Sequence, residues 1–301
     1  MNPPDVIITE VGPRDGLQNE PLFVKTEDKI ELINQLSLSG LQHIEVTSFV
    51  SHKSIPQLSD AGLVFESIKK KPGVQYTALI PNEQGLVKAL HHDVTEIAVF
   101  IAVSESFNQR NIHCSIAEAL NRIKIIINNA KLKNLRIRAY VSCALGCPYE
   151  GAIAPKMVLK VARDLIHLGV DALSFADTIG VGTPQQTKAL IQILSNDLNP
   201  TEIAMHFHDT YGQAIANIYA SLDAGVRRFD SSLAGLGGCP YAMGATGNVA
   251  TEDVLYLMHG LGLTTGIDIY KIVAAGDWIC QRMGRQNQSK VANALLATLR
   301  N

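Results

Sequence analysis

One β-branched run ends Met205-His206-Phe207-His208-Asp209. Residues two apart in a strand share a face, so His206 and His208 can converge on one point. A lone strand histidine is an ordinary core residue, but a same-face pair beside an acidic residue has the spacing of a divalent-metal site. Other polar residues fall at similar places. Arg14 and Asp15, in GPRDGLQNE, follow the first β-branched run, where they also read as a surface ion pair in a glycine turn. Glu45 is flanked by Ile44 and Val46. A buried carboxylate is costly without a partner, and Arg14 is the natural one if the first two strands are neighbours. Asp177 ends another run and reads either as a strand-end acid or as a helix N-cap ahead of Ile179. The glycine-dense segment GLGGCPYAMGATGN, Gly235 to Asn248, contains Cys239. Such a backbone bends sharply, which fits a mobile lid or a phosphate cradle, but without G-K-[ST] it is not a Walker loop. Cys239 is therefore the thiol placed to do chemistry, while Cys143 and Cys147 read as structural. His91, His92 and His259 read as helix-surface residues, and Lys69 to Lys71 as a solvated helix end.

The elements that must position these residues alternate along the chain. Strand candidates are Val6–Val11, His43–Phe49, Tyr76–Pro81, Glu96–Val103, Arg136–Cys143, Ala172–Thr178, Ile203–Asp209 and Phe229–Ala234. Helical punctuation lies between them. Ser115 with Glu118 forms a capping box before a stripe of Leu120, Ile123, Ile126 and Ile127. Thr183, Pro184 and Gln186 form a second start signal, and Gly40, Gly169 and Gly225 sit where helices should stop. Strand–helix alternation repeated in this way predicts an α/β (β/α)8 TIM barrel. The rival, a doubly wound open sheet, would usually show G-x-G-x-x-G after its first strand, and none is present. The barrel is expected over about residues 5–262, with a C-terminal helical extension over about 267–301. No linker or repeat divides the chain, so a single catalytic domain over 1–301 is expected. In such a barrel the functional residues gather at the carboxyl ends of the strands, which is where the polar residues above fall.

Composition narrows the function classes. The 301 residues carry 26 Lys+Arg against 28 Asp+Glu, a formal charge of −2, which is not the footprint of a nucleic-acid binder. A hydrophobic content of 47% with 18% charged residues excludes a disordered chain. The apolar stretches, such as Ile97 to Val103, are too short for a membrane span. The opening MNPPDVIITE has no basic segment, apolar core or cleavage site, so a cytoplasmic location is expected. Five cysteines without C-x2-C spacing are read as reduced thiols.

Taken together, GPRDGLQNE, IEVTSFVS, YVSCALGCPYEG, DTIGVGTP, HFHDTYGQA and GLGGCPYAMGATGNVATEDV resemble the 3-hydroxy-3-methylglutaryl-CoA lyase family, in order from about Val6 to Lys290. The Cys239 loop is the most specific element, since metal-dependent aldolases and Claisen-type synthases share the Arg–Asp turn and the histidine pair. The sequence departs from the family pattern at Ile101, His113, Ala176, Met243 and Thr246. The resemblance implies cleavage of 3-hydroxy-3-methylglutaryl-CoA, an acyl-CoA substrate, to acetyl-CoA and acetoacetate, a step in leucine breakdown and ketone-body formation. It implies Asp15, His206, His208 and Asn248 as ligands to Mg2+ or Mn2+. It implies Arg14 as enolate stabiliser held by Glu45, Asp15 or His206 as base, Cys239 as proton donor, and Asp177 in the acidic floor of the site. Arg14 and Gln18 are then substrate contacts, and family habit implies a homodimer. Three alternatives remain at this point: a lyase for a longer branched 3-hydroxyglutaryl-CoA, a Claisen-type synthase, and a non-catalytic binding protein, which would be expected to have lost its polar strand ends.

Overall fold

The computed structural model describes residues 3–238 and 247–299. Eight parallel strands close into one barrel in chain order. They are β1 (Ile7–Glu10), β2 (His43–Ser48), β3 (Gln75–Leu79), β4 (Glu96–Ala102), β5 (Arg136–Ser142), β6 (Ala172–Asp177), β7 (Ile203–Phe207) and β8 (Arg228–Ser231). The ring closes where β1 pairs with β8 from Ile7 opposite Arg228 to Glu10 opposite Ser231. Around it run α1 (Thr26–Ser37), α2 (Ala61–Ser67), α3 (Glu83–His91), α4 (Glu105–Ile112), α5 (Ile116–Lys131), α6 (Pro155–Leu168), α7 (Pro184–Leu194), α8 (Ala214–Asp223) and α9 (Thr251–Gly260). After them, α10 (Ile269–Met283) packs against α1 and α9, and α11 (Lys290–Leu299) against α9 and α10. Among the described residues, no helix is long and apolar enough to cross a membrane.

Strand alternation sorts the side chains into two sets. One set, including Ile97, Val99, Ile101, Ile137 and Val141, packs outward into the main apolar core under the helices. The other fills the lumen, where Leu79, Ala98 and Tyr140 form a small apolar cluster with Phe100 against it. Below them Arg138, Thr9, Ser174 and Asp230 hydrogen-bond across the barrel, a polar layer drawn from four strands. The helix signals act as their chemistry dictates: both capping boxes form, at Ser115/Glu118 and Thr183/Gln186, and Gly169 closes α6 in the left-handed conformation. His113 closes α4 with φ 52°, where asparagine is better tolerated than most side chains.

β8 is shorter than the expected Phe229–Ala234. It stops at Ser231, and Leu233–Gly235 form a single 3-10 turn with Ala234 at φ 56°, which no strand can accommodate. Buried carboxylates hold this turn. Glu10 Oε1 accepts the N–H groups of Gly12 (2.8 Å) and Leu233 (3.0 Å), while Oε2 accepts Thr251 Oγ1 (2.7 Å). Both oxygens of Glu252 lie 2.9 Å from the Ala234 nitrogen. Burial raises Glu10 to about 7 and Glu252 to about 8, the second with a smaller push from Glu10.

These two groups make stability depend on pH. In the unfolded chain both titrate near the ordinary glutamate value of about 4.3. Above that value the native state keeps protons that the unfolded chain has lost. The stability they contribute is therefore full below it and is lost as pH rises through about 7 and 8. Glu252→Gln removes one of the two titrations. The fall in Tm between about pH 5.5 and about pH 8.5 should be smaller in this variant than in the parent, by calorimetry. An equal fall in both would remove Glu252 from this account.

Candidate metal and acid–base site

The site begins with the five residues after β1. Gly12–Gly16 form one wide π-helical turn in which the Val11 carbonyl accepts the N–H groups of Arg14, Asp15 and Gly16 at 3.1, 2.7 and 3.2 Å. Such turns are rare and recur at functional positions. Close approach requires the two glycines. A methyl group at Gly12 would strike Leu233 and Glu10, and one at Gly16 would lie 2.8 Å from Leu236 Cβ and Ser232 Oγ. The turn directs Arg14 and Asp15 into the barrel mouth.

Arg14 is buried and is not a surface ion pair. Its guanidinium grips Glu45 as a fork, Nε to Oε1 at 2.8 Å and Nη2 to Oε2 at 3.0 Å. Tyr140 donates its hydroxyl to Glu45 Oε2 at 2.5 Å, and its ring lies 5.5 Å from the Arg14 guanidinium carbon. The register of β2 against β3 shifts between Glu45 and Thr47, the kind of irregularity that re-aims a side chain beside a site. Burial works against the Arg14 charge, but Glu45 and then Asp15 hold its pKa above the usual arginine value. The cation is thus fixed in place by two carboxylates and a tyrosine.

Asp15 is the hub. Its Oδ1 takes Arg14 Nη1 (2.5 Å) and Gln18 Nε2 (3.1 Å), and its Oδ2 takes Asn248 Nδ2 (2.8 Å). The Nε2 atoms of His206 and His208 lie 4.0 and 3.9 Å from that same Oδ2. These separations are too long for hydrogen bonds and short enough for one ion to be shared. Among the described residues, Asp15, His206 and His208 form the group of metal-type ligands, with donor atoms within 4.8 Å of one another. His208, just past the end of β7, is bridged by backbone pairing to Asn248, which brings the amide to the same place. Asn248 Oδ1 is buried with no hydrogen-bond partner. An unused acceptor beside one carboxylate and two imidazoles fits a divalent cation held by oxygen and nitrogen.

The electrostatics agree with that donor set. Burial opposes the Asp15 charge, yet Arg14 and the two histidines outweigh it and hold the carboxyl well below its usual range. Burial, then the neighbouring His206, lowers His208 to about 4, which leaves it the neutral imidazole that metal ligation needs.

Asp177 ends β6 as expected but caps no helix. Its Oδ1 accepts Val181 N–H at 3.1 Å and its Oδ2 accepts Gly182 N–H at 2.9 Å, while the cap of α7 is Thr183. Burial raises it to about 6. It is not part of the three-residue ligand group. Cys239, like Met243 and Thr246, lies outside the described residues, whereas Cys143 and Cys147 are buried as expected. Sequence reasoning missed Tyr140, Arg138, Ser174 and Asp230. The signal was available: Arg138 and Tyr140 stand two apart in β5, the spacing that drew attention to His206 and His208.

A parallel barrel that gathers a carboxylate, two imidazoles and a gripped arginine at its strand ends fits an enzyme that breaks carbon–carbon bonds beside a divalent ion. The chain belongs to the HMGL-like family, which it matches over residues 5–279. It is 52% identical over 292 residues to the cytoplasmic 3-hydroxy-3-methylglutaryl-CoA lyase of Rattus norvegicus, covering 97% of this chain and 85% of that protein. It is 52% identical over 295 residues to the 3-hydroxy-3-isohexenylglutaryl-CoA/hydroxy-methylglutaryl-CoA lyase of Pseudomonas aeruginosa, covering 98% of each. A crystal structure of hydroxymethylglutaryl-CoA lyase from Pseudomonas aeruginosa superposes with a TM-score of 0.96 at 52% identity, covering 98% of this chain and 99% of that one.

Proposed function

We infer that this chain, as a single catalytic domain, cleaves 3-hydroxy-3-methylglutaryl-CoA to acetyl-CoA and acetoacetate. The observation that carries the reading is the fork of Glu45 on Arg14, set directly against the Asp15–His206–His208 group. Cleavage needs the tertiary hydroxyl to lose a proton while the adjacent carbon–carbon bond breaks. The bonding electrons become a thioester enolate, and the hydroxyl carbon becomes the ketone of acetoacetate.

Asp15, His206, His208 and Asn248 would hold Mg2+ or Mn2+, which when bound lowers the hydroxyl pKa and orients the substrate oxygens. Arg14 stabilises the negative charge that grows on the enolate oxygen, and the Glu45 fork keeps it aimed at that oxygen. The hydroxyl proton passes to Asp15 or His206. Gln18, already bonded to Asp15, would contact the substrate. Cys239 donates the proton that completes acetyl-CoA, and Asp177, with its raised pKa, adds an acid to the floor of the site. A homodimer in the cytoplasm, working in leucine breakdown and ketone-body formation, completes the reading.

A second reading keeps the chemistry and lengthens the acyl branch. It draws support from the Pseudomonas aeruginosa relative, whose name pairs an isohexenyl substrate with the methyl one. Purified enzyme with Mg2+ should release acetyl-CoA and acetoacetate from the methyl thioester, with kcat/KM at least equal to that for a longer branched analogue. A strong preference for the longer analogue would select the second reading. Turnover of neither would overturn both.

A further inference from the structure

We propose that Asp230 is a positioning residue that keeps the His206 proton on Nδ1, leaving the Nε2 lone pair free for a divalent ion. The proposal rests on the metal reading above only for its last clause. Asp230 lies in β8, buried beneath His206, and its Oδ2 stands 3.4 Å from His206 Nδ1. That nitrogen is buried and, among the described residues, has no formed hydrogen bond, so a small ring rotation toward Asp230 completes one.

Asp230 itself cannot turn away. Arg138 Nη2 donates to its Oδ1 at 2.5 Å, Ser174 Oγ donates to its Oδ2 at 2.7 Å, and Arg138 is tied in turn to Thr9 Oγ1 at 2.9 Å. Side chains from β1, β5 and β6 therefore aim one carboxylate at one imidazole nitrogen. An ionised carboxylate only accepts, and a neutral imidazole has one donor and one acceptor nitrogen. The proton therefore sits on Nδ1, and Nε2 presents its lone pair toward Asp15. Among the described residues no carboxylate pairs with Nδ1 of His208, which makes that ring an internal control.

Asp230→Asn tests the assignment because Arg138 dictates how the amide must sit. The guanidinium only donates, whereas the Ser174 hydroxyl can turn to accept, so the amide oxygen takes the place of Oδ1 and the amide NH2 faces Ser174 and His206. Facing a donor, Nδ1 must accept, and the proton moves to Nε2, where it blocks a metal. Nitrogen-15 spectra of histidine-labelled, metal-free protein at about pH 8, above the ordinary imidazole range, read the tautomer directly. The expected result is Nδ1–H for His206 in the parent, Nε2–H in Asp230→Asn, and no change at His208. Mn2+ affinity, measured separately by calorimetry, should fall about 10–100-fold in the variant. Nε2–H in the parent, or the same tautomer in both proteins, would overturn the proposal. If Asp230→Asn does not fold, the parent spectrum alone decides. A parent that shows Nδ1–H yet binds no Mn2+ would overturn the metal reading while supporting the tautomer assignment.

Discussion

Arg14→Gln should lower turnover by at least about 10²–10³ while leaving KM and metal affinity within a few-fold of the parent. The enolate oxygen carries far more negative charge than the thioester carbonyl it comes from, so a fixed cation there favours the transition state over bound substrate. Glutamine keeps a polar side chain but removes both the charge and the fork that meets Glu45 at 2.8 and 3.0 Å. Glu45 would then be a buried carboxylate with the Tyr140 hydroxyl as its remaining donor among the described residues. Removing one partner of a buried ion pair typically costs about 3–5 kcal/mol, and the tyrosine should hold the loss toward the low end. Turnover and thermal unfolding must therefore be measured on the same preparations. A folded, metal-loaded Arg14→Gln enzyme with near-normal turnover would exclude Arg14 as the enolate stabiliser.

Metal removal should be more drastic. Protein stripped by a chelator should lose all measurable turnover and regain it with Mg2+ or Mn2+. His208→Ala removes one of the two imidazoles beside Asp15. It should weaken Mn2+ binding by at least about tenfold and lower turnover even at saturating metal, because the remaining ligands no longer fix the geometry. Stripped protein with full activity, its metal content verified by elemental analysis, would sink the ligand assignment.

Much of this site was legible because its residues break local rules. A glutamate between Ile44 and Val46, and two histidines on one strand face, are costly unless they have partners, and so they announce themselves. The strands were legible because a β-branched run bounded by helix signals has few other uses in a chain of this pattern. What stayed hidden depends on the third dimension. The π-helical turn at Gly12–Gly16 has no periodic signature, and its glycines make sense only when Leu233 and Leu236 are seen against them. Ser232–Ala234 look strand-like locally, but the buried Glu252 captures the Ala234 amide from 18 positions away and β8 stops at Ser231. Strand-end acid and helix cap look alike for Asp177 in one dimension, because sequence does not show that its carboxylate meets the amides of Val181 and Gly182. Asp230 sits in FDSS, where nothing marks it as facing a histidine from another strand.

The tie between Glu10 and Leu233, 223 positions apart, bears on how the molecule is made. Asp15 and Asn248, 233 positions apart, meet only when β8 has docked on β1. A ribosome releasing the chain from its N-terminus exposes Arg14 and Asp15 early, but as a loop with no floor. The site becomes whole only after the last strand has crossed the full loop-closure distance, the slowest class of contact for a chain to find. The same closure that completes the barrel at β1 and β8 also brings Asn248 to Asp15.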